Sequence, residues 1–210
     1  MAIITPPSTI QWAELSTFKL QRAGLTLRSR YTGRRQSVSF PFALWVIEGK
    51  LVKVDGLEAG RWRSFLVQLS GQDNTFRLPV PGHSGPASGF NAGGTGADTT
   101  TTLTSRPAGS SSVVVGNWTA TGNGVPLVAE GDYVTVNDEL KVVTAGALTA
   151  AGGATINFKP PLRRFAASGS AVAILRPTVM VQAQDDDVAG WGLSRPVQHT
   201  IQLKLMEAFD

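Results

Sequence analysis

Leu25-Thr26-Leu27-Arg28-Ser29-Arg30-Tyr31-Thr32-Gly33-Arg34-Arg35-Gln36-Ser37-Val38-Ser39-Phe40 is the stretch on which the fold turns. Leu25, Leu27, Ser29 and Tyr31 share one parity, while Thr26, Arg28 and Arg30 share the other. That period of two is what a strand imposes on its two faces. Thr32-Gly33 supplies turn chemistry, because glycine reaches the positive φ that most side chains avoid. Beyond the turn, Val38 and Phe40 resume an apolar face. The stretch predicts a long β-hairpin whose tip is Tyr31-Thr32-Gly33-Arg34-Arg35.

The pattern extends outward on both sides. Upstream, Thr9 to Leu20 alternates in the same way. Downstream, Leu44 to Val54 is strongly β-prone, and Glu48-Gly49-Lys50 is the expected turn of a second hairpin. One helix follows. Trp62, Phe65, Leu66 and Leu69 fall at i, i+3, i+4 and i+7, a single apolar stripe that assigns them to a core. Asp55 and Glu58 have capping-box spacing, Gly71 suits the position just past the end, and Gly56 and Gly60 allow the start to slip to Ala59. Phe76-Arg77-Leu78-Pro79-Val80-Pro81 then closes the segment.

From there the composition shifts. Residues 82–131 hold 11 of the 23 glycines, eight threonines and three charged residues, Asp98, Arg106 and Glu130. Such a stretch is either a flexible loop or the start of a Gly/Thr-rich β module. Val113–Val115, Tyr133–Val136, Leu140–Thr144, Ala154–Phe158 and Ala171–Leu175 read as short strands, close enough together to make a small barrel or sandwich. The final segment is cleaner. Val197, His199, Ile201, Leu203 and Leu205 alternate with Gln198, Thr200, Gln202, Lys204 and Met206, which gives a strand with one buried face. The fold class expected is mainly β with one helix.

Composition narrows the function classes. With 210 residues, 42% hydrophobic and 16% charged, the chain can bury a core and is not a disordered one. There is no cysteine, which excludes disulfides, thiolate metal sites and a cysteine nucleophile. The opening residues lack a basic-then-apolar leader pattern, and no apolar run approaches the ~18 residues of a membrane span, so membrane insertion is not expected. Charge is uneven: residues 1–90 carry 11 Lys/Arg against 5 Asp/Glu, and residues 181–210 carry 2 against 5. The dense basic stretch, Arg28 to Arg35, fits an exposed hairpin with a solvated or salt-bridging face; nucleic-acid contact is the lesser reading, since such binders usually interleave more basic and aromatic residues.

Catalytic, metal and cofactor signatures are wanting, and no enzyme is expected. No phosphate-binding loop occurs, and Gly94-Thr95-Gly96 and Gly122-Asn123-Gly124 lack the third glycine of a dinucleotide site. Gly82-His83-Ser84-Gly85 misses nucleophile-elbow spacing and runs into Pro86. His199 lies on an apolar strand face, where a hydrogen-bonded core histidine is the default. Asp185-Asp186-Asp187 could attract a hard cation, but a solvated acidic turn is the simpler reading. Two rival functions stay open. Trp118 and Trp191 in Gly-rich surroundings would suit a carbohydrate- or receptor-binding module. A polysaccharide hydrolase would need facing carboxylates, for which Glu130, Asp132, Asp138 and Glu139 are the dense local supply.

Three blocks together resemble one family. Ser29 to Val38 is similar to the S-P-[YF]-T-G-x-x-Q-V-V hairpin of bacteriophage distal tail and related baseplate proteins, with Arg30 where those have proline. Arg61-Trp62-Arg63-Ser64-Phe65-Leu66-Val67-Gln68-Leu69-Ser70-Gly71 looks like their W-x-x-F-L-x-x-L-x-G helix, and Phe76 to Pro81 like their F-x-L-P-x-P exit. Gly131-Asp132-Tyr133-Val134-Thr135-Val136, Leu140 to Thr144, and Gly153 to Phe158 leading into Pro160-Pro161-Leu162-Arg163 resemble a module of siphophage tail-tip proteins.

The resemblance implies a discontinuous α+β belt domain, residues 1–83 and 179–210, split around an inserted β module, 84–178. It implies a structural virion protein of the tail tip, assembled in the host cytoplasm as a homo-oligomeric ring, often six-fold. Its neighbours would be the tail tube, tape measure and hub proteins, with DNA only passing through the channel. The hairpin residues Arg28, Arg30, Tyr31, Thr32, Gly33, Arg34 and Arg35 would form the subunit interface. Asp185, Asp186 and Asp187 are candidate partners on the adjacent copy.

Overall fold

In a computed structural model of the chain, the hairpin stretch lies within two strands of 17 residues each, β1 (Trp12–Arg28) and β2 (Arg35–Leu51). The structure describes residues 2–7, 10–52, 56–83, 85–87, 99–116, 124, 126–150, 153–185, 190–194 and 198–208. After β2 come α1 (Gly56–Leu69), β3 (Phe76–Pro79), β4 (Thr99–Thr102), β5 (Ser112–Gly116), β6 (Pro126–Val128) and β7 (Tyr133–Val136). They are followed by β8 (Glu139–Ala145), β9 (Ala147–Leu148), β10 (Ala154–Lys159), β11 (Ala171–Ala173), β12 (Thr178–Ala183), β13 (Gly190–Ser194) and β14 (Gln198–Glu207). The described chain is mainly β, with one helix and a closed six-stranded barrel.

The large sheet runs β1-β2-β14-β12-β3, with β13 also paired to β14. β12 and β13 lie in line along one edge of β14. Gln184 N donates to Lys204 O at 3.0 Å and Gly190 sits opposite Gln202, so the two strands meet β14 on either side of Leu203; residues 186–189 lie outside the described residues. The expected period-2 face of the last strand is real: Ile201, Leu203 and Leu205 are buried, while Gln202 and Lys204 are exposed.

Helix α1 covers that face. Ala59, Trp62, Phe65, Leu66 and Leu69 are buried against Trp45, Ile47, Phe76, Leu78, Val179 and Val181. Trp62 meets Phe65 edge-on at 5.6 Å, and Phe65 meets Phe76 at 5.3 Å. The helix starts at Gly56; Asp55, the expected cap, lies outside the described residues. Its last carbonyls are satisfied locally: Ser70 N donates to Val67 O, and Asn74 donates through Nδ2 to Gln68 O and through N to Leu69 O.

The chain near Gly49 departs from expectation. There is no second hairpin at Glu48-Gly49-Lys50; β2 runs straight through it, with Gly49 opposite Leu15 on one side and Leu203 on the other. The glycine is there for space. A Cβ at Gly49 would lie 2.7 Å from Glu14 O and 2.7 Å from Trp12 Cε3, because the indole of Trp12 lies across the strand at that point. Gly49→Ala should therefore cost about 1–3 kcal/mol, the usual penalty for overpacking. An unchanged urea midpoint for that variant would show that Trp12 does not rest there. Upstream, the two alternating segments merge into the single strand β1, interrupted by register shifts at Trp12/Glu14, Leu15/Thr17 and Arg22/Gly24.

The barrel closes in the order β10-β5-β4-β11-β7-β8. Val113, Val115, Val134, Val136, Ile156, Phe158 and Val172 fill it. Four of the expected strands fall in β5, β7, β8 and β10, whereas β11 stops at Ala173. The chain leaves the large sheet after β3 and returns at β12, and these two strands pair with Pro79 opposite Thr178. Val80 N donates to Pro177 O at 3.1 Å just beyond that pair.

Candidate assembly interface

The hairpin tip is held by the residues that carry its motif. Ser29 N donates to Arg34 O at 2.9 Å and Gly33 N to Ser29 O at 3.0 Å, which closes the loop. The Ser29 hydroxyl accepts from Tyr31 N at 3.3 Å and Thr32 N at 3.2 Å, and the Thr32 hydroxyl accepts from Arg34 N at 3.4 Å. Such side-chain-to-backbone bonds preset a turn. Gly33 has φ +66°, the left-handed region where a Cβ would be strained. The loop is thus specified by Ser29, Thr32 and Gly33, which leaves Arg30, Tyr31 and Arg34 free to present side chains. Tyr31 is fully exposed.

Register sorts the rest of the ribbon into two faces. Residues directly opposite in an antiparallel pair share a face. Leu27 lies opposite Gln36 and Arg28 opposite Arg35, with Thr26 opposite Ser37. One face therefore carries Leu27 and Val38, 53% and 43% exposed, and the other carries Thr26, Ser37 and two arginines facing each other. Like charges set opposite destabilise a hairpin. From Leu15 to Ile47 the chain has six basic residues and no acidic one. Among the described residues, none of Arg28, Arg30, Arg34 and Arg35 joins an ion pair. Every described side chain from Gln21 to Val38 is exposed.

The proposed acidic partners sit far off. Asp185 is exposed where the chain leaves the ladder beside Leu203; Asp186 and Asp187 lie outside the described residues. Leu203 is level with Gly49, fourteen residues along β2 from Arg35. At the rise of an extended strand that is a path of up to about 45 Å, shortened by whatever bend the break at Arg22/Gly24 introduces. Within one subunit the arginines and Asp185 do not meet.

A second cluster, at the seam between barrel and sheet, was not legible as such. The Lys141 side chain is fully buried, and its Nζ donates to Glu139 Oε2 at 2.6 Å and to Pro161 O at 2.9 Å. Glu139 also accepts from Arg163 N at 3.0 Å and Arg164 N at 3.0 Å. The Arg163 guanidinium reaches out of the barrel to Glu207 Oε1 and to Ala43 O, the latter at 3.3 Å. Glu207 Oε2 accepts from Trp45 N at 3.2 Å, and Trp45 Nε1 donates to Leu140 O at 3.2 Å. Burial raises the Glu139 carboxyl, but the Lys141 charge and hydrogen bond, with Arg163, outweigh it and hold the group below its usual range. Burial lowers the Lys141 ammonium despite Glu139, and burial raises Glu207 despite Arg163.

Of the module-motif residues, Pro161 and Arg163 take part in this seam. Pro160 and Leu162 are buried, the Pro161 carbonyl holds Lys141, and Arg163 spans to the sheet. Gly131 N donates to Val143 O at 2.9 Å, and the Asp132 carboxylate accepts from Ala87 N at 2.9 Å and Ala129 N at 2.7 Å. Asp138 pairs with Arg77 at 3.1 Å. Three of the four carboxylates weighed for hydrolysis are thus engaged in holding the fold, and Glu130 is exposed. His83 packs edge-on to Tyr133 at 5.7 Å, its pKa lowered by burial against the opposing charge of Asp132. Ser84, Trp118 and the side chains of Trp191 and His199 lie outside the described residues. Among the described residues no three His, Asp or Glu groups gather as a metal site would need. The chain matches no protein-family model and no curated protein sequence.

Proposed function

We propose that this chain is a structural virion protein: a distal tail or baseplate ring adaptor that joins a phage tail tube to the tail tip around a channel for DNA. In this reading residues 1–83 and 179–210 are the ring-forming α+β belt, and residues 84–178 are a module inserted into it. The observation that carries it is the ribbon, with six basic residues and no acidic one between Leu15 and Ile47 and Arg28 set opposite Arg35. A two-stranded ribbon is marginal in water by itself, and its internal repulsion makes it more so. A partner that brings carboxylates and covers Leu27 and Val38 relieves both defects. The acidic C-terminal region of a neighbouring copy has that chemistry. Asp185 lies too far along the sheet to serve its own hairpin, so the contact joins copies head to tail, which is how rings are built.

The test is a charge reversal. Arg34→Glu with Arg35→Glu places like charges across the contact, which typically costs several kcal/mol per interface. On an exposed hairpin the same change moves subunit stability by only about 0.5 kcal/mol. The double variant should keep the circular dichroism and subunit melting of the parent while its native mass falls from ring to monomer. Rings that persist at the same concentration and moderate salt would remove the hairpin from the interface. A parent protein that is itself monomeric would end the ring reading.

A further inference from the structure

The root of the ribbon is finished by side chains. β14 pairs with β2 from Gln202 opposite Lys50 to Met206 opposite Val46, one residue before the strand ends at Glu207. The next groups along that edge of β2 are the Trp45 N–H, taken by Glu207 at 3.2 Å, and the Ala43 carbonyl, taken by Arg163 Nη1 at 3.3 Å. Arg163 and Glu207 are joined to each other. A partly buried ion pair therefore continues the ladder where the third strand stops, and one half of it belongs to the barrel. The barrel holds β1 at the same level, since Phe18 stacks on Trp45 at 4.9 Å and both rings meet Tyr133 of β7 at 5.8 Å.

Immediately beyond this seam the register breaks. Arg22 is opposite Ala43 but Gly24 is opposite Ser39, so one residue of β1 faces the three residues Phe40-Pro41-Phe42. A bulge bends and re-aims the strands that leave it, and Pro41 has no N–H to give to a ladder. Past the bulge every described side chain as far as the tip is exposed, so among the described residues none there packs on the rest of the subunit to set a direction.

We infer that the barrel aims the ribbon: Arg163, gripped by Glu139 on the barrel side and Glu207 on the sheet side, fixes β2 at Ala43 and with it the direction of the segment 24–39. Arg163 is a positioning residue, and its role stands on these contacts whether or not the ribbon joins copies into a ring. Movement of the barrel relative to the sheet would be felt first as a change in ribbon direction.

The chain has no cysteine, so Ser37→Cys in the distal ribbon and Ser64→Cys on α1 provide a unique pair of spin-label sites. Labelled protein diluted into excess unlabelled protein reports distances within one subunit. The parent should give one narrow Ser37–Ser64 distance. Arg163→Met should broaden it, and should speed amide exchange across 24–39 about tenfold while the barrel and α1 keep their protection. Arg163→Lys keeps the charge but lacks the planar fork that meets Ala43 O and Glu207 from separate nitrogens, so it should broaden the distance as well. A distance as narrow as the parent's in both variants overturns the inference. So does exchange that rises equally in barrel, helix and ribbon, or failure of both variants to fold, since each makes Arg163 a general support.

Discussion

Glu139→Gln should lower stability by about 3–5 kcal/mol at neutral pH, the scale on which a buried ion pair fails when one partner is removed. The reason lies with the partner left behind. Lys141 has no exposed side-chain surface, and without the carboxylate its ammonium keeps the Pro161 carbonyl but loses its close anionic neighbour at 2.6 Å. The amide can still accept from the backbone N–H groups of Arg163 and Arg164, so the loss is charge compensation rather than loop geometry. Adding Lys141→Met to the variant should therefore recover most of the stability, because a buried pair replaced by apolar volume is often neutral. Acid supplies a second signature. Glu139 is held below the usual carboxylate range by Lys141 and Arg163 in spite of its burial. Its stabilisation is complete above the unfolded carboxylate pKa and is lost as pH falls through the lowered folded value. Urea denaturation in steps from neutral pH to about pH 3 should show an acid loss in the parent that is smaller in Glu139→Gln. A single variant within about 1 kcal/mol of the parent would mean that the seam is solvated.

Trp62→Ala is expected to cost a similar amount, about 3–5 kcal/mol, for a different reason. Trp62 is 1% exposed and packs with Phe65, Leu66 and Leu69 between α1 and the sheet. Removing the indole leaves a void that Phe65 and Phe76, locked edge-on to each other, cannot easily close. For a chain of this size the loss corresponds to a thermal midpoint lower by roughly 10 °C. A midpoint equal to the parent's would place the indole at the surface and the helix in the wrong rotation. The two losses are separable, since one depends on pH and the other does not.

How far the sequence could be read follows from which signals are unambiguous. A helix stripe of four apolar residues and a Thr32-Gly33 turn each have one natural reading, and α1 and the turn are where that reading puts them, although Ser29, read as strand, belongs to the loop and Arg35, read as tip, to β2. Gly49 has two, because glycine marks a turn as readily as a place where a neighbour lies close, and only the position of Trp12 decides. β4 was hidden because its threonines sit next to a glycine-rich run, although threonine suits a strand. The seam was missed for a subtler reason. Counting only apolar residues ends the last strand's buried face at Leu205, yet Glu207 continues the same parity and is 2% exposed. Glu139 and Lys141 likewise stand two apart on one strand, so opposite charges share a face, and that spacing was the available clue.

The pairing of Pro79 with Thr178 has an evolutionary consequence. It brings the two ends of the intervening chain to about one interstrand spacing, roughly 5 Å. A scaffold whose ports lie so close together can accept foreign domains of almost any size, provided their own termini are adjacent, because joining them adds little closure entropy. The restriction lies at the seam, where the barrel also packs Leu140 and Tyr133 against the sheet core. Whatever replaces the barrel inherits a buried carboxylate at Glu207, and it must arrive with a cation aimed at that point or be accompanied by loss of the acid. Lineages that exchange this cassette should therefore change position 207 and the incoming cation together, a paired substitution that would be visible in related chains as a swap of both or of neither.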